Sequence, residues 1–407
     1  MNKMQRKKTR VILVYSNLGI GGIAKTLVTL LNILDYSKFD VTLYIRRDDV
    51  VDLINQIPPV VDIILITNEV KNIVFDNNLM GRIVKRLYMY LNRKHKHLAK
   101  RLFLSYKNPI QRQKEQKELE KNKVAWDVAI SYSTDNDDPI FVSRCINAKK
   151  KYVFVHQSTF IAKKNVKEMS RFNSVISVNP NLEPWIRMIT KSNVSVYSIE
   201  NYVDYQSVIS LANMKSPKTF DCFTIATCGR LCTTKGYDYV IQTAILLKDS
   251  SIPFVWCWIG DGPAHGDMER MINENELNEQ VHIIGSQPNP YPYIRDCNLY
   301  VQPSRAESFG LTIVEAMVLN KPVIMTQTKG SSWIHQKYKC GILVDNSAQD
   351  IANCIIDLYN NHSRINDEIE KTQRINWLNE RERYIKQWNH LLNDELYSLR
   401  SSGNDSA

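Results

Sequence analysis

No stretch of the 407-residue chain offers the ~20 consecutive apolar residues that a bilayer span requires. The start, Met1 to Arg10, is basic like the first region of a signal peptide. The apolar run after it, Val11 to Tyr15, is too short for an h-region and leads into a Gly-rich turn. It reads as a first buried strand, and the chain is expected to stay in the cytoplasm. Cysteine is sparse at eight residues, and none has metal-ligand spacing. The nearest pair, Cys228 and Cys232, lacks a second pair or a His cluster, which argues against structural zinc. Cys228 and Cys257 fall inside strand-like runs as small apolar residues, and reduced thiols fit a cytoplasmic address. Acidic residues are missing altogether from 77–114.

That last absence locates the charge. Arg82, Lys85, Arg86, Arg93, Lys94, Lys96, Lys100, Arg101, Lys107, Arg112 and Lys114 crowd this stretch, so the net +11 is a local field rather than a diffuse one. Leu79, Ile83, Leu87, Tyr90 and Leu91 recur at helical spacing, as do Leu98, Leu102 and Tyr106. An apolar stripe on a cationic helix suits an anionic membrane surface; a helix packed on its domain with a solvated basic side is the alternative. No zinc finger or RNA-binding motif accompanies the charge, so nucleic acid is not expected as a partner.

A content of 43% hydrophobic and 23% charged residues is globular, and the length implies two or three cores. Strand and helix patterns alternate twice along the chain. The first half reads as strands at Val11–Tyr15, Val41–Ile45, Asp62–Ile66, Asp127–Ser131, Tyr152–His156, Val175–Val178 and Val194–Ser198. The second reads as strands at Thr224–Cys228, Phe254–Ile259, Val281–Ile284, Asn298–Gln302, Val323–Thr326 and Gly341–Val344. Short apolar runs between amphipathic segments predict parallel sheets covered on both faces. The expected architecture is α/β: two Rossmann-like doubly wound domains, 1–205 and 206–379, facing a cleft. The polar stretch Asp204 to Phe220 suits a linker, and a helix in 380–400 would cross back to the first domain.

The strongest chemical signal is Glu307-Ser308-Phe309-Gly310-Leu311-Thr312-Ile313-Val314-Glu315, after a strand ending at Gln302. The amides of Ser308 to Leu311 would open a helix and form an anion site. Glu315, about two turns in at ~3.6 residues per turn, could accept a diol. An ordinary amphipathic helix is the plainer reading. Gly229-Arg230-Leu231 with Lys235-Gly236 adds two cations at another strand end. No Asp-x-Asp metal site is evident, so Arg and Lys are the available counterions for a departing diphosphate. Trp258-Ile259-Gly260-Asp261-Gly262-Pro263, taken alone, is only a turn.

In this order the segments resemble the retaining family-4-like glycosyltransferases of GT-B fold, also called glycosyl transferases group 1. Asn17-Leu18-Gly19-Ile20-Gly21-Gly22-Ile23-Ala24-Lys25 is similar to the family's N-terminal glycine loop, and Val153-Phe154-Val155-His156 to its strand ending in His. Ile176-Ser177-Val178-Asn179 and Glu200-Asn201-Tyr202-Val203-Asp204 are similar to its markers before the linker. The resemblance implies that Arg230 and Lys235 clamp the diphosphate, Glu315 holds the ribose and Glu307 the donor sugar. Phe309, Gly310 and Leu311 would offer backbone amides, Gly22 would let the N-terminal loop approach, and His156 would sit beside the sugar. It further implies no metal and no cofactor, with a nucleotide sugar, such as a UDP-sugar, as donor. The expected acceptor is a glycan or lipid-linked molecule of bacterial surface polysaccharide or glycolipid assembly, met at the inner face of the cell membrane. Ser331-Ser332-Trp333-Ile334-His335 departs from the family, which often has a second Gly and an acidic residue there, so the donor's identity is open. A same-fold epimerase or hydrolase and a catalytically silent partner subunit are the competing readings.

Overall fold

The computed structural model describes residues 7–16, 18–46, 51–65, 125–215 and 220–393, with part of 83–119. It contains two parallel sheets. The first is built from β1 (Thr9–Tyr15), β2 (Phe39–Ile45), β3 (Asp62–Leu65), β4 (Trp126–Ser131), β5 (Ala148–Val155), β6 (Ser174–Ser177) and β7 (Ser195–Ser198), in the order β3-β2-β1-β4-β5-β6-β7. The second is built from β8 (Phe223–Cys228), β9 (Phe254–Ile259), β10 (Val281–Gly285), β11 (Leu299–Gln302), β12 (Val323–Thr326) and β13 (Ile342–Val344), in the order β10-β9-β8-β11-β12-β13. Val11, Ile12, Leu13 and Val14 are all at most 1% exposed, the burial that an unbroken apolar strand covered on both faces needs.

Thirteen α-helices are named among the described residues. They are α1 (Gly22–Ile33), α2 (Asp138–Cys145), α3 (Lys163–Met169), α4 (Glu183–Thr190), α5 (Tyr205–Ala212), α6 (Tyr237–Asp249), α7 (His265–Glu274), α8 (Tyr291–Asp296), α9 (Leu311–Val318), α10 (Lys329–Tyr338), α11 (Ala348–Asn360), α12 (His362–Gln373) and α13 (Trp377–Leu392). Each sheet reverses its strand order once, between β1 and β4 and between β8 and β11. Such switch points leave a crevice at the carboxyl ends of the strands, where ligands of doubly wound sheets bind. The glycine loop before α1 leaves β1; the Arg230 loop leaves β8; the Glu307 loop leaves β11.

Helix α13 begins at Trp377 and lies against the first sheet. Trp388 stacks on Phe154 of β5, with centroids 5.0 Å apart and planes 2° from parallel, and Tyr384 stacks on Tyr202 at 5.5 Å. The stretch read as a linker is helical in its first half. Asp204 caps α5 by accepting from the Ser207 amide, and Val208 and Ala212 are buried. Two apolar anchors in eight residues give too weak a period to stand out in sequence.

Most of the basic stretch 79–123 lies outside the described residues, as do Asn17 and the end of the sequence-read strand at Ile66. Within it, Ile83, Leu87, Tyr90 and Leu98 are exposed while Val84 is buried. Farther along the stretch, Arg112 Nη1 donates to Asp137 Oδ2 at 2.7 Å. Charge balance with three nearby carboxylates draws this arginine inward.

Candidate functional site

Strand β11 delivers the first glutamate through a chain of buried polar groups. The Tyr300 hydroxyl donates to Gln302 Oε1 at 2.8 Å, Gln302 Nε2 to Ser304 Oγ at 2.8 Å, and Ser304 Oγ to Glu307 Oε1 at 2.9 Å. Gln302 and Ser304 are at most 1% exposed. A buried relay with each member satisfied fixes one geometry. Lys235 Nζ reaches the same Glu307 oxygen. The sequence reading missed this relay; its one visible signal was a Gln closing an apolar strand.

The cations stand on the loop after β8. Lys235 ends a 3-10 turn, Thr233–Lys235, and Gly236 follows at φ 73°. A Cβ at Gly236 would lie 1.9 Å from the Pro303 carbonyl oxygen, so only glycine lets this loop meet the one after β11. Arg230 is exposed.

Gly260-Asp261-Gly262-Pro263 is more than a turn. The Leu231 amide donates to Asp261 O at 3.0 Å, and the Ala264 amide to Leu231 O at 3.1 Å. Gly260 holds φ 144°, and a Cβ there would lie 2.0 Å from the Gly229 carbonyl oxygen. The segment is a backbone cradle for the Arg230 loop. Gly260→Ala is expected to cost on the order of 1–3 kcal/mol in backbone strain. That lowers the melting temperature by several degrees, at about 2–4 °C per kcal/mol for a domain of this class. An unchanged melting temperature would show that the loop moves aside freely.

The second glutamate is held from both domains. Glu315 in α9 is 2% exposed; its Oε1 accepts from Lys25 Nζ at 2.8 Å and from the Tyr291 hydroxyl at 3.2 Å. Its Oε2 is buried with no partner. Phe309, Gly310 and Leu311 open α9, with Gly310 at φ 95° as its N-cap. The first-turn amides of a helix have no intrahelical acceptors and favour an anion. Gly22 faces this end across the cleft: a Cβ there would stand 3.3 Å from Leu311 Cδ1. Asn179 of the first domain donates through Nδ2 to Ser308 O at 2.9 Å and to Lys329 O at 3.0 Å.

The departing segment Ser331–His335 lies in α10, whose capping box pairs Thr328 with Ser331. A Cβ on Gly330 would come within 2.6 Å of Phe309 O, and the Gly330 amide donates to Glu307 O at 3.0 Å. The helix thus supports the Glu307 loop by its backbone, and Trp333 turns the other way to donate to Glu200 Oε2 at 3.1 Å.

His156 follows β5, 7% exposed, and its Nε2 has no partner. Its ring lies by Tyr132 and Phe154, at centroid distances of 5.2 and 6.2 Å. Both rings belong to the first domain, so His156 stands on the opposite side of the cleft from the Glu307 loop. Burial pushes its pKa down to about 3, against the pull of the Tyr132 backbone, and the ring is neutral near pH 7. A depressed basic pKa favours the folded state above the unfolded value of about 6.5 and loses that stability as pH falls toward the folded value. Relative to His156→Gln, the wild type should lose up to about 1.4 kcal/mol per pH unit below 6.5. Denaturation at pH 7 and pH 5 measures this, and parallel curves would contradict it.

One Asp-x-Asp does occur, Asp135-Asn136-Asp137, on the first domain. Asp137 binds Arg46 and Arg112 at 2.9 and 2.7 Å, and Asp135 accepts from Gln157 Nε2 at 2.5 Å. These partners already occupy the carboxylates. All eight cysteines are free. Among the described residues no helix is long and apolar enough to cross a membrane.

Comparison with known proteins places this geometry. Residues 214–375 match the family model described as glycosyl transferases group 1. The chain is 30% identical over 172 residues to the poly(ribitol-phosphate) alpha-N-acetylglucosaminyltransferase of Staphylococcus aureus, covering 40% of this chain and 34% of that one. It is 29% identical over 154 residues to the O-antigen biosynthesis glycosyltransferase WclY of Escherichia coli, covering 37% and 41%. The match thus spans well under half of these relatives' length. Among solved structures, Staphylococcus aureus TarM, as a variant with fondaparinux, alpha-GlcNAc-glycerol and UDP, superposes with a TM-score of 0.67 at 15% identity over 96% of this chain and 99% of that one. Anabaena HepE in complex with UDP gives 0.64 at 14% identity over 95% and 100%. Residues 214–375 are thus similar to the glycosyl transferases group 1, and end to end the chain has the two-domain GT-B fold.

Proposed function

We propose that this chain is a retaining glycosyltransferase that moves a sugar from a UDP-sugar to a glycan or lipid-linked acceptor in bacterial surface polysaccharide or glycolipid assembly. The observation that carries the reading is the convergence of Lys235 with Glu307, and of Lys25 with Glu315, at the second sheet's switch point. The UDP in the HepE and TarM complexes supports the choice of base. The poly(ribitol-phosphate) and O-antigen relatives support the class of product.

In this reading the ribose diol takes Glu315, and the diphosphate lies between the α9 N-terminus, Arg230 and Lys235. Glu307 receives sugar hydroxyls. Two cations and fixed amides stabilise the charge that grows on the leaving phosphate, without a metal or cofactor. The acceptor hydroxyl attacks on the face from which the diphosphate departs, and a phosphate oxygen takes its proton. No protein nucleophile is needed, so positioning supplies most of the rate. Neutral His156 serves as a hydrogen-bonding partner for the sugar through Nε2 rather than as an acid.

Ile83, Leu87 and Tyr90, spaced i, i+4, i+7 on helical residues, are 51%, 44% and 61% exposed. With the surrounding cations they suit docking on an anionic leaflet, with the protein peripheral on the inner face of the cell membrane. The test is release of UDP from a panel of UDP-sugars, with acceptor lipids in anionic or neutral vesicles. Acceptor-dependent release, faster on anionic vesicles and with the product's anomeric configuration kept, is the expected result. Release without acceptor would mark a hydrolase, and none with any sugar a silent partner.

A further inference from the structure

The donor reading gives Lys25 no contact with the bound nucleotide, yet its ammonium occupies that reading's ribose position. It lies in the first turn of α1, three residues after Gly22, and its side chain is 45% exposed. Its ammonium nevertheless crosses to the other domain, to the buried Glu315 oxygen at 2.8 Å, and lies 4.9 Å from the centroid of the Tyr291 ring. Burial alone would lower its pKa, but Glu315 reverses this and holds the ammonium charged. Glu315 Oε2, fully buried, has no hydrogen-bond partner among the described residues. A carboxylate with one oxygen paired to a movable cation and the other unpaired can take two hydroxyl donors once that cation leaves.

The cation has somewhere to go. Leu311, which opens α9, precedes Glu315 by one turn, about 5.4 Å. Gly22, on the same loop as Lys25, already abuts Leu311. A lysine on a flexible four-carbon stem behaves as a point charge that can change partners.

We propose that Lys25 is a donor-site residue that exchanges partners: it occupies Glu315 in the unliganded chain and passes to the diphosphate when the ribose diol takes that carboxylate. The inference rests on the donor reading above. It gives the first domain a cation that engages only when a phosphate-bearing ligand is present. Uridine must displace Lys25 and offers it nothing, whereas UDP supplies a new partner.

The test is binding of uridine and of UDP, by calorimetry and ligand-observed NMR, to wild type, Lys25→Met, Lys25→Gln and Lys25→Arg. Both neutral variants should bind uridine about two- to fivefold more tightly, the scale of a half-exposed ion pair. They should bind UDP at least about tenfold more weakly, the scale of a charge-assisted hydrogen bond, and Lys25→Arg should keep most of the UDP affinity. Opposite shifts for the two ligands are not expected from a lysine that only braces the fold. Equal weakening of both ligands, or no change in either, would overturn the exchange while leaving the donor reading intact. A wild type that binds neither would overturn both.

Discussion

Lys235→Ala should lower the rate of sugar transfer by about 10²–10³-fold, the usual effect of removing one preorganised group from a developing anion. The loss should fall mainly on kcat, because the charge on the leaving phosphate grows as the bond breaks. Two features of the structure make the lysine hard to replace. Its position is set by Gly236 against the Pro303 carbonyl, so no neighbouring side chain can take its place. It also holds Glu307, whose other side-chain partner among the described residues is Ser304. The double variant Lys235→Ala with Glu307→Gln should therefore lose little more than the worse single variant, since the two act as a unit. Steady-state kinetics on the three variants decides this; additive losses would mean that the pair is incidental.

Arg46→Met should destabilise the first domain by about 3–5 kcal/mol at pH 7, the cost of stripping the partner from buried charges. Arg46, at the end of β2, is 3% exposed. Its Nε donates to Glu115 at 2.9 Å, and its Nη1 to Asp137 at 2.9 Å and Asp138 at 3.0 Å. Without it three carboxylates face, among the described residues, Arg112 and neutral donors. Burial already pushes Asp138 up to about 6, against the pull of Arg46. A carboxyl whose folded pKa lies above its unfolded value adds stability below the unfolded pKa and loses it as pH rises through the folded one. The deficit of Arg46→Met should therefore narrow between pH 7 and pH 4, as the orphaned carboxyls take up protons. Urea denaturation across that range checks it, and a deficit that stays constant with pH would contradict the assignment. The network also reaches the site: Asp138 accepts from the Ser16 amide at 3.0 Å, where the glycine loop leaves β1. Arg46 thus joins residues 109–117 to the loop that faces the donor.

Much of this fold was readable because its strands announce themselves. Runs such as Phe254–Ile259 are continuous, apolar and β-branched or aromatic, and glycine punctuates their ends. The same motifs pointed to Arg230, Lys235 and Glu307, each one loop beyond a legible strand, and to Glu315 in the helix that follows the Glu307 loop. What escaped detection depends on contacts distant in sequence. Lys25 and Glu315 are 290 positions apart, and Arg46 meets Glu115 across 69; no local pattern encodes either meeting. The Gly260-Asp261-Gly262-Pro263 segment looked like punctuation because its purpose, backbone packing on Gly229 and Leu231, leaves no side-chain signal. Arg112 is the opposite case: its charge was visible, but its partner Asp137 was not. Helix α10 was hidden by a polar composition, with only Gly330, Ser331 and Ile334 buried.

The central claim is that a uridine nucleotide binds at the second sheet's switch point with its ribose on Glu315. The most direct measurement is a thermal-shift panel of nucleoside diphosphates and UDP-sugars on wild type and on Glu315→Ala. Ligand that binds only the native state raises the melting temperature by mass action. The account expects a rise with UDP and with one or more UDP-sugars, lost in Glu315→Ala. A folded wild type that no nucleotide stabilises, or a UDP shift that survives in Glu315→Ala, would contradict it.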